Sequence, residues 1–290
     1  MPSDHSAGPP ASCRPEIHPP QDLAADRAAR AAIFADPDVV ACYASRAPYA
    51  PALFDFLCEL PARRDRALDI GCGPGNVARG LADRFAEVVA LDPSAPMIEA
   101  AKRADSRPNL CWTLARAEDF DTDVPFDLVT AGASIHWTNP EILFPKLARW
   151  TPLVAILSND PTFPHPPPPC GHDAWIAFLE EWFARTGRCI PEHWRAPDPD
   201  APAPLGPHGD WLDIQGRKTF HFTFSQTVEA FVASNHSRVN WRRAVLSRAQ
   251  AKEFDAALTA LMRPFAAEGR LEVQVVSELV WGRARAERRP

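Results

Sequence analysis

Apolar runs and segments with helical spacing alternate along the middle of the chain. Each run is short and rich in apolar residues, as in strands buried on both faces, and the runs cover residues 67–70, 88–91, 109–114, 126–132 and 153–157. The segments between them place apolar side chains three or four positions apart, which predicts helices over residues 77–85, 96–103 and 141–150. Strands that alternate with helices predict an α/β fold whose sheet is mostly parallel.

The N-terminal part of the chain has a different pattern. Residues 1–22 are rich in Pro, Ser and Ala and have no periodicity, so we expect a disordered segment there. Helical spacing follows over 23–60, with a break near Asp36 and Pro37. We therefore expect one domain over 23–290.

Prolines become abundant after the fifth apolar run. Residues 160–218 predict a proline-stiffened cap insertion after strand five, placed where it can cover a crevice, with one helix over 173–186. An apolar stripe on this helix is a packing face or a binding face, and packing is the commoner use: Trp175, Phe178, Leu179, Trp182 and Phe183. The remaining pattern predicts a strand over 219–224, helices over 228–234 and 249–265, and a last strand over 271–281.

The most informative stretch is the glycine-rich turn that ends the first apolar run. Gly71, Gly73 and Gly75 stand at every second position, where they allow a left-handed backbone and the close approach of a ligand. Asp92 ends the second apolar run, about twenty residues later, and a carboxylate there suits the two hydroxyls of a ribose. The pair predicts a nucleoside-binding crevice at the carboxyl ends of parallel strands.

The sequence of the turn is compatible with two classes of cofactor in this crevice. A dinucleotide fingerprint needs glycine at the sixth position of the turn, where this chain has Asn76. The turn instead resembles motif I of the class I S-adenosylmethionine-dependent methyltransferases, and the matching residues extend to the second strand: Asp69, Gly71, Gly73, Gly75, Asp92, Pro93 and Met97. An NAD(P)-dependent oxidoreductase is the less favoured alternative.

Further residues resemble the trans-aconitate methyltransferase-like small-molecule group within that class. Tyr43 and Arg46 resemble a segment that folds over the methionine end of the cofactor in this group, although Ala47 replaces a proline. Ser134, His136 and Trp137 resemble a signature at the end of strand four.

The resemblance implies both the fold and a binding role for each residue. The fold is a Rossmann-like, seven-stranded, mostly parallel sheet with an antiparallel last strand and helices on both faces. Asp69 and the glycine turn position the methionine end, with Tyr43 and Arg46 closing over its carboxylate. Asp92 takes the ribose. The resemblance assigns the remaining cofactor contacts to Pro93, Met97, Ala117, Glu118 and Ser134, with Met97 and Ala117 on the two faces of adenine and Glu118 at its edge.

The implied reaction is methyl transfer from S-adenosyl-L-methionine to a small-molecule acceptor, on oxygen, including a carboxylate oxygen, or on nitrogen. His136 is the candidate base and Trp137 lines the acceptor site, but a carboxylate acceptor needs no base. Arg238, Arg242 and Arg243 either anchor an anionic acceptor or are solvated surface groups. Other chemistry of the same cofactor, such as transfer of its aminobutyrate arm, remains an alternative.

Composition narrows the choice of partners. The net charge of −6 argues against nucleic acid, and no apolar run is long enough to span a bilayer. Seven scattered cysteines and an N-terminus without a secretory pattern predict free thiols in the cytoplasm. The spacing of histidines and cysteines fits no zinc pattern, so no metal is expected. We expect a monomer or a homodimer.

Overall fold

The computed structural model describes residues 32–159, 168–190, 205–238 and 241–289. The predicted disorder over 1–22 therefore lies outside the described residues. The predicted seven-stranded sheet is confirmed, with the order β3-β2-β1-β4-β5-β7-β6. Its strands are β1 Arg66–Ile70, β2 Glu87–Asp92, β3 Leu110–Leu114, β4 Leu128–Gly132, β5 Val154–Asn159, β6 Leu212–Thr227 and β7 Arg270–Ala284.

Strands β1 to β5 run parallel to one another, whereas β7 is antiparallel to both β5 and β6. The direction of strand order reverses at β1, which lies between β2 and β4. In open α/β sheets such a reversal leaves a crevice at the carboxyl ends of the strands. The glycine turn after β1 and the segment after β4 therefore meet at that crevice.

The helices cover both faces of the sheet. Their bounds are α1 Pro37–Tyr43, α2 Pro51–Glu59, α3 Asn76–Ala82, α4 Ala95–Ala104, α5 Pro140–Trp150, α6 His172–Arg185, α7 Val228–His236 and α8 Arg248–Met262. Residues of β2 alternate between two apolar layers, since Val88 and Ala90 pack with α2 and α3 while Val89 and Leu91 pack with α5. The uninterrupted apolar run of this strand follows from burial on both faces.

Side-chain caps fix where several helices begin. The Ser94 and Thr227 hydroxyls accept the backbone N–H of Met97 and Ala230, which starts α4 and α7. Ser247 and Gln250 form a reciprocal capping box at the start of α8. These caps satisfy N–H groups that have no partner within their helices.

A second apolar core stands beyond the carboxyl end of β5. β7 pairs with β5 only over residues 277–282 but pairs with β6 over its whole length, so the β6–β7 hairpin extends past the sheet. Helices α6, α7 and α8 pack against this extension. The aromatic stripe of α6 is fully committed to this core, so it is a packing face, as the commoner interpretation predicted.

The predicted cap needs a correction at its C-terminal boundary, because β6 begins at Leu212 rather than at Thr219. The residues between them are mostly polar because β6 is the edge strand of the sheet, with Ile214 exposed and a bulge before Gly216. Residues 160–167 and 191–204 of the cap lie outside the described residues. The part of the cap that is described is a helix and a short 3₁₀ segment.

Two expectations from composition can be compared with the structure. Of the helices that are described, none is long and apolar enough to cross a membrane. Five cysteines are free thiols, namely Cys42, Cys58, Cys72, Cys111 and Cys170. Cys189 is disulfide-bonded, so the expectation of free thiols is wrong for that residue.

Candidate functional site

The three glycines of the turn after β1 all have a positive φ but meet different surroundings. A Cβ on Gly71, at φ +62°, would lie 2.5 Å from Ser134 Cβ, and one on Gly75, at φ +89°, would lie 2.4 Å from Trp112 Cη2. A Cβ on Gly73, at φ +53°, would meet no atom within 4 Å. Gly71 and Gly75 therefore allow close packing, whereas Gly73 presents bare backbone to open space.

Asp92 holds this turn in place from the end of β2. Its Oδ2 accepts the Gly73 backbone N–H at 2.8 Å, and its Oδ1 accepts the Ser94 N–H at the same distance. Burial raises the pKa of Asp92, and the two amides partly oppose that effect. Each carboxylate oxygen can accept a second hydrogen bond, so both remain able to bind a ligand hydroxyl.

A cavity of about 400 Å³ opens between the turn and the segment after β4. Pockets of this size bind small ligands. Ten residues predicted from the sequence line its wall: Tyr43, Gly71, Gly73, Asp92, Pro93, Met97, Ala117, Glu118, Ser134 and Trp137.

Three aromatic rings close one side of the cavity. Phe34 makes edge-to-face contacts with Tyr43 and Trp137, at centroid distances of 6.4 and 5.7 Å. The Ser94 hydroxyl donates a hydrogen bond to the Phe34 carbonyl at 2.8 Å, which ties the residues above the cavity to the start of α4. We call residues 32–50, which include α1, the roof segment.

The opposite end of the cavity is polar. Glu118 lies there with a nearly buried side chain, and its Oε1 accepts the Asn139 backbone N–H at 2.8 Å. Arg116 lies 3.6 Å from the same carboxylate and also lines the cavity. Met97 and Ala117 supply buried apolar contacts beside this acid.

Asp69 does not line the cavity but is buried behind the turn. Its Oδ1 accepts a hydrogen bond from the Thr130 hydroxyl at 2.9 Å, and its Oδ2 is buried with no hydrogen-bond partner among the described residues. Burial raises the pKa of Asp69 to about 7, against the opposing effects of Thr130 and the Ala78 amide. A buried carboxylate oxygen without a partner is uncommon in native proteins.

Arg46 also lies outside the wall of the cavity, contrary to the role that the resemblance implied. Its Nε donates to Ser237 Oγ at 2.7 Å and an Nη donates to the Ser237 carbonyl at 2.8 Å, while its Cζ lies 4.0 Å from the centre of the Tyr43 ring. The guanidinium therefore joins the roof segment to the end of α7.

His136 is placed away from the cavity as well, although its neighbour Trp137 lines it. The His136 ring is partly exposed, yet the groups packed around it and the nearby His208 lower its pKa to about 4. An imidazole with that pKa is a weak base. The geometry therefore does not favour the predicted role of His136 as a base.

Sequence reasoning missed the other lining residues: Phe34, Ala35, Ile70, Ser94, Arg116, Gly132, Ala133, Thr138, Asn139 and Ile142. Ser94 carried a usable signal, because a serine three residues before Met97 is a helix N-cap. Ala133 carried no signal in the sequence, because its φ of +53° is unusual for a residue other than glycine and an alanine does not predict it. Strained backbone of this kind concentrates at functional sites.

The groups around the turn fit a nucleoside. The open backbone at Gly73 suits the close approach of a ligand, and the Asp92 carboxylate suits the hydroxyls of a ribose, whereas Asp69 lies behind the turn. A metal site is not evident, because no three candidate ligands cluster among the residues that the structure describes.

Comparison with known proteins agrees with this geometry. Residues 67–151 match the family model described as a methyltransferase domain. An uncharacterized methyltransferase of Mycobacterium bovis is 34% identical over 36% of this chain and 42% of its own length. A trans-aconitate 2-methyltransferase of Methylobacterium radiotolerans is 37% identical over 32% of this chain and 36% of its own length.

Two further similarities concern the wider group and the fold. A malonyl-[acyl-carrier protein] O-methyltransferase of Enterobacter lignolyticus is 38% identical over 28% of this chain and 32% of its own length. The chain thus matches less than half the length of each of these relatives. A solved structure named as a candidate type II methyltransferase from Anaeromyxobacter dehalogenans aligns over 82% of this chain and 97% of its own, with a TM-score of 0.57 and 22% identity. This last similarity shows the fold alone.

Proposed function

We propose that this chain, a class I S-adenosylmethionine-dependent methyltransferase by its fold and its methyltransferase domain, transfers a methyl group to a carboxylate oxygen of a small-molecule acceptor. The observation that carries the proposal is the make-up of the cavity wall. The rings of Phe34, Tyr43 and Trp137 form one side of this wall, and no histidine, lysine or cysteine is among the described residues that line the cavity. The acceptor must then be a nucleophile that needs no strong base.

The residues of the cavity divide the binding of the cofactor among them. Asp92 accepts the ribose hydroxyls, Pro93 and Met97 lie beside the adenine, and Glu118 holds the edge of the base. The Gly71–Gly73 backbone and Ser134 line the methionine end, and Asp69 supplies a negative charge behind the turn. When bound, S-adenosylmethionine supplies an electrophilic methyl group on a sulfonium.

The aromatic roof has two tasks in this proposal. Phe34, Tyr43 and Trp137 exclude water from the reacting groups, and their ring faces favour a nearby positive charge. A carboxylate is already ionised at neutral pH, so the chain has to orient it rather than deprotonate it. The relatives named for trans-aconitate and for malonyl-[acyl-carrier protein] also have acids in their names, which supports the same acceptor chemistry.

Calorimetric titration tests the cofactor part of the proposal. We expect micromolar binding of S-adenosylmethionine and S-adenosylhomocysteine, weakened at least about tenfold in Asp92→Ala, because a charge-assisted hydrogen bond contributes about 1.5–3 kcal/mol. Asp119→Ala is the matched control, since Asp119 is an exposed acid near the same cavity that does not line it. Equal affinity in Asp92→Ala and the parent protein would contradict the assignment.

A labelled-methyl assay tests the acceptor chemistry. The protein is incubated with S-adenosylmethionine labelled on the methyl group and a panel of small carboxylic acids and amines. A methyl ester releases labelled methanol in mild alkali, whereas an N-methyl product keeps its label. If the label is stable to alkali while cofactor binding is intact, the methyl group is transferred to a group other than a carboxylate, and the proposed acceptor chemistry is wrong.

A further inference from the structure

The glycine turn after β1 is flexible by composition, so its shape depends on the contacts that surround it. Glycine loses more conformational freedom on folding than any other residue. The inner half of the turn is bonded to β2, because the Cys72 N–H donates to the Leu91 carbonyl at 2.9 Å and the Gly73 N–H donates to Asp92. The outer half, residues 74–76, lies beyond these bonds and is held from another direction.

Arg79, about one turn into α3, folds back over the outer half. Its Nη1 donates to the Pro74 carbonyl at 2.5 Å and its Nη2 donates to Asn76 Oδ1 at 2.9 Å, and we call these two hydrogen bonds the clamp. The two acceptors flank Gly75, which is the N-cap of α3, has a φ of +89° and makes no side-chain cap. The guanidinium therefore bridges both sides of the residue whose backbone has the most freedom.

Trp112 of β3 covers the same glycine. A Cβ on Gly75 would lie 2.4 Å from Trp112 Cη2 and 3.3 Å from Arg79 Nη1, so the indole and the guanidinium both lie against this residue. The indole is itself fixed, since its Nε1 donates to the Asp105 carbonyl at 3.1 Å. Arg107 pairs with the Asp105 carboxylate and donates to the Arg79 carbonyl at 2.9 Å. The two groups that hold Gly75 are therefore joined to each other as well as to the turn.

The Arg79 guanidinium is partly withdrawn from water. Burial lowers the pKa of Arg79, and the nearby Asp105 carboxylate opposes that effect. Hydrogen bonds from an ionised donor that is shielded from water are stronger than bonds between neutral groups in water. Both acceptors of the clamp are neutral, so the planar shape of the guanidinium, rather than attraction between opposite charges, decides how the turn is held.

The clamp reaches the wall of the cavity through Pro74. The proline ring fixes the φ of this residue, and the bond from Arg79 to its carbonyl restricts its ψ, so Pro74 is a rigid link between α3 and Gly73. Gly73 presents bare backbone to the cavity, whereas Arg79 is not among the described residues that line it. Arg79 therefore acts on a ligand through the turn, and a turn that is ordered before binding lowers the entropic cost of binding.

We propose that Arg79 is a positioning residue of the cofactor site, which holds the glycine turn in its binding conformation through Pro74 and Asn76. This inference rests on the proposed binding of S-adenosylmethionine in the cavity. Without the clamp, the ligand has to order the outer half of the turn each time it binds. The affinity for the cofactor then falls although every residue that lines the cavity is still present.

Calorimetric titration with S-adenosylhomocysteine, at a temperature where every variant is folded, tests the clamp. In Arg79→Met the affinity should fall about five- to thirtyfold, as expected if the ligand must order the backbone of one further residue. Arg79→Lys should recover only part of this loss, because lysine keeps the charge but loses the planar fork. Arg84→Met is the matched control, since Arg84 lies just past α3, donates to the Gly80 carbonyl and pairs with Asp55, away from the turn.

Two further measurements distinguish positioning from a general effect on stability. Asn76→Ala removes one acceptor of the clamp, so its affinity should lie between those of the parent and Arg79→Met, and the double variant should bind no more weakly than Arg79→Met alone. Urea unfolding of each variant gives the free energy of unfolding. A merely structural role lowers that free energy without changing the affinity of the folded protein, which is the result expected for Arg84→Met.

The outcomes separate this inference from the proposed function. Unchanged affinity in Arg79→Met, full affinity in Arg79→Lys, or equal losses in Arg79→Met and Arg84→Met would overturn the positioning role. If Arg79→Met does not fold, a loss of affinity in both Arg79→Lys and Asn76→Ala supports the role, and unchanged affinity in either overturns it. Failure of the parent protein to bind S-adenosylhomocysteine would instead overturn the proposed function.

Discussion

Replacing Asp69 by Asn should change how the stability of the protein depends on pH. Asp69 is 1% exposed, and burial raises its pKa from 3.8 to about 7. Between these two values the folded state holds a proton that the unfolded state has released. The free energy of unfolding therefore falls as the pH rises through this window.

The size of the effect follows from the shift in pKa. A shift of about 3 units, at about 1.4 kcal/mol per unit, makes the ionised Asp69 cost the folded state about 4 kcal/mol above pH 7. Asn removes this cost but places an amide NH₂ where Oδ2 has no partner, which costs about 1–3 kcal/mol. Asp69→Asn should therefore be more stable than the parent at pH 8 and lose that advantage near pH 4.

Urea unfolding of both proteins at half-unit steps from pH 4.5 to 8, without ligand, measures this difference. Asp119→Asn is the control, because Asp119 is exposed and its substitution should leave the pH profile unchanged. Parallel profiles for Asp69→Asn and the parent would refute the reasoning that burial governs this carboxyl. Addition of S-adenosylhomocysteine should reverse the order of stability at pH 8, since its ammonium group favours the charged form of Asp69.

Two further predictions concern the turn and the segment after β4. Gly73→Ala should cost about 1 kcal/mol of stability, for a left-handed alanine, yet greatly weaken binding of S-adenosylhomocysteine, because the new methyl group projects into open space at the ligand site. Gly71→Ala should instead cost about 3 kcal/mol, since its Cβ would overlap Ser134; thermal unfolding and calorimetry separate the two, and equal effects in both assays would contradict the distinction. His136→Asn should leave the pH profile of methyl transfer unchanged between pH 6 and 9, because His136 lies outside the cavity and its pKa is about 4. Loss of a rate-limiting ionisation in that range would restore His136 as the base.

Local sequence was sufficient to predict those structural features that are formed by residues close together in the chain. The turn between β1 and α3 follows from an apolar run and three glycines, and Asp92 follows from the end of the next run. These elements are adjacent in the sheet, so their spacing along the chain predicts their proximity in space. The same reasoning predicted the parallel order and the buried stripe of α6.

The residues that form the roof of the cavity could not be predicted from local sequence, because their positions depend on contacts with residues far away in the chain. The cap was expected to cover the crevice, but none of its described residues lines the cavity, and Phe34 and Tyr43 from the N-terminal side do so instead. Arg46 was expected at the cofactor and bonds to Ser237, 191 positions away. No local pattern encodes such a contact, because it depends on how the extended hairpin places α7.

The sequence by itself was sufficient to predict the half of this protein that contains the glycine turn. That half consists of consecutive strands and turns, and short sequence motifs identify them. Only the tertiary structure decided which side chains face the ligand. It buried Asp69 behind the turn, placed His136 outside the wall of the cavity, and bonded Arg46 to Ser237. Such placements arise from the packing of two separate cores, which depends on the fit of many side chains rather than on any one segment.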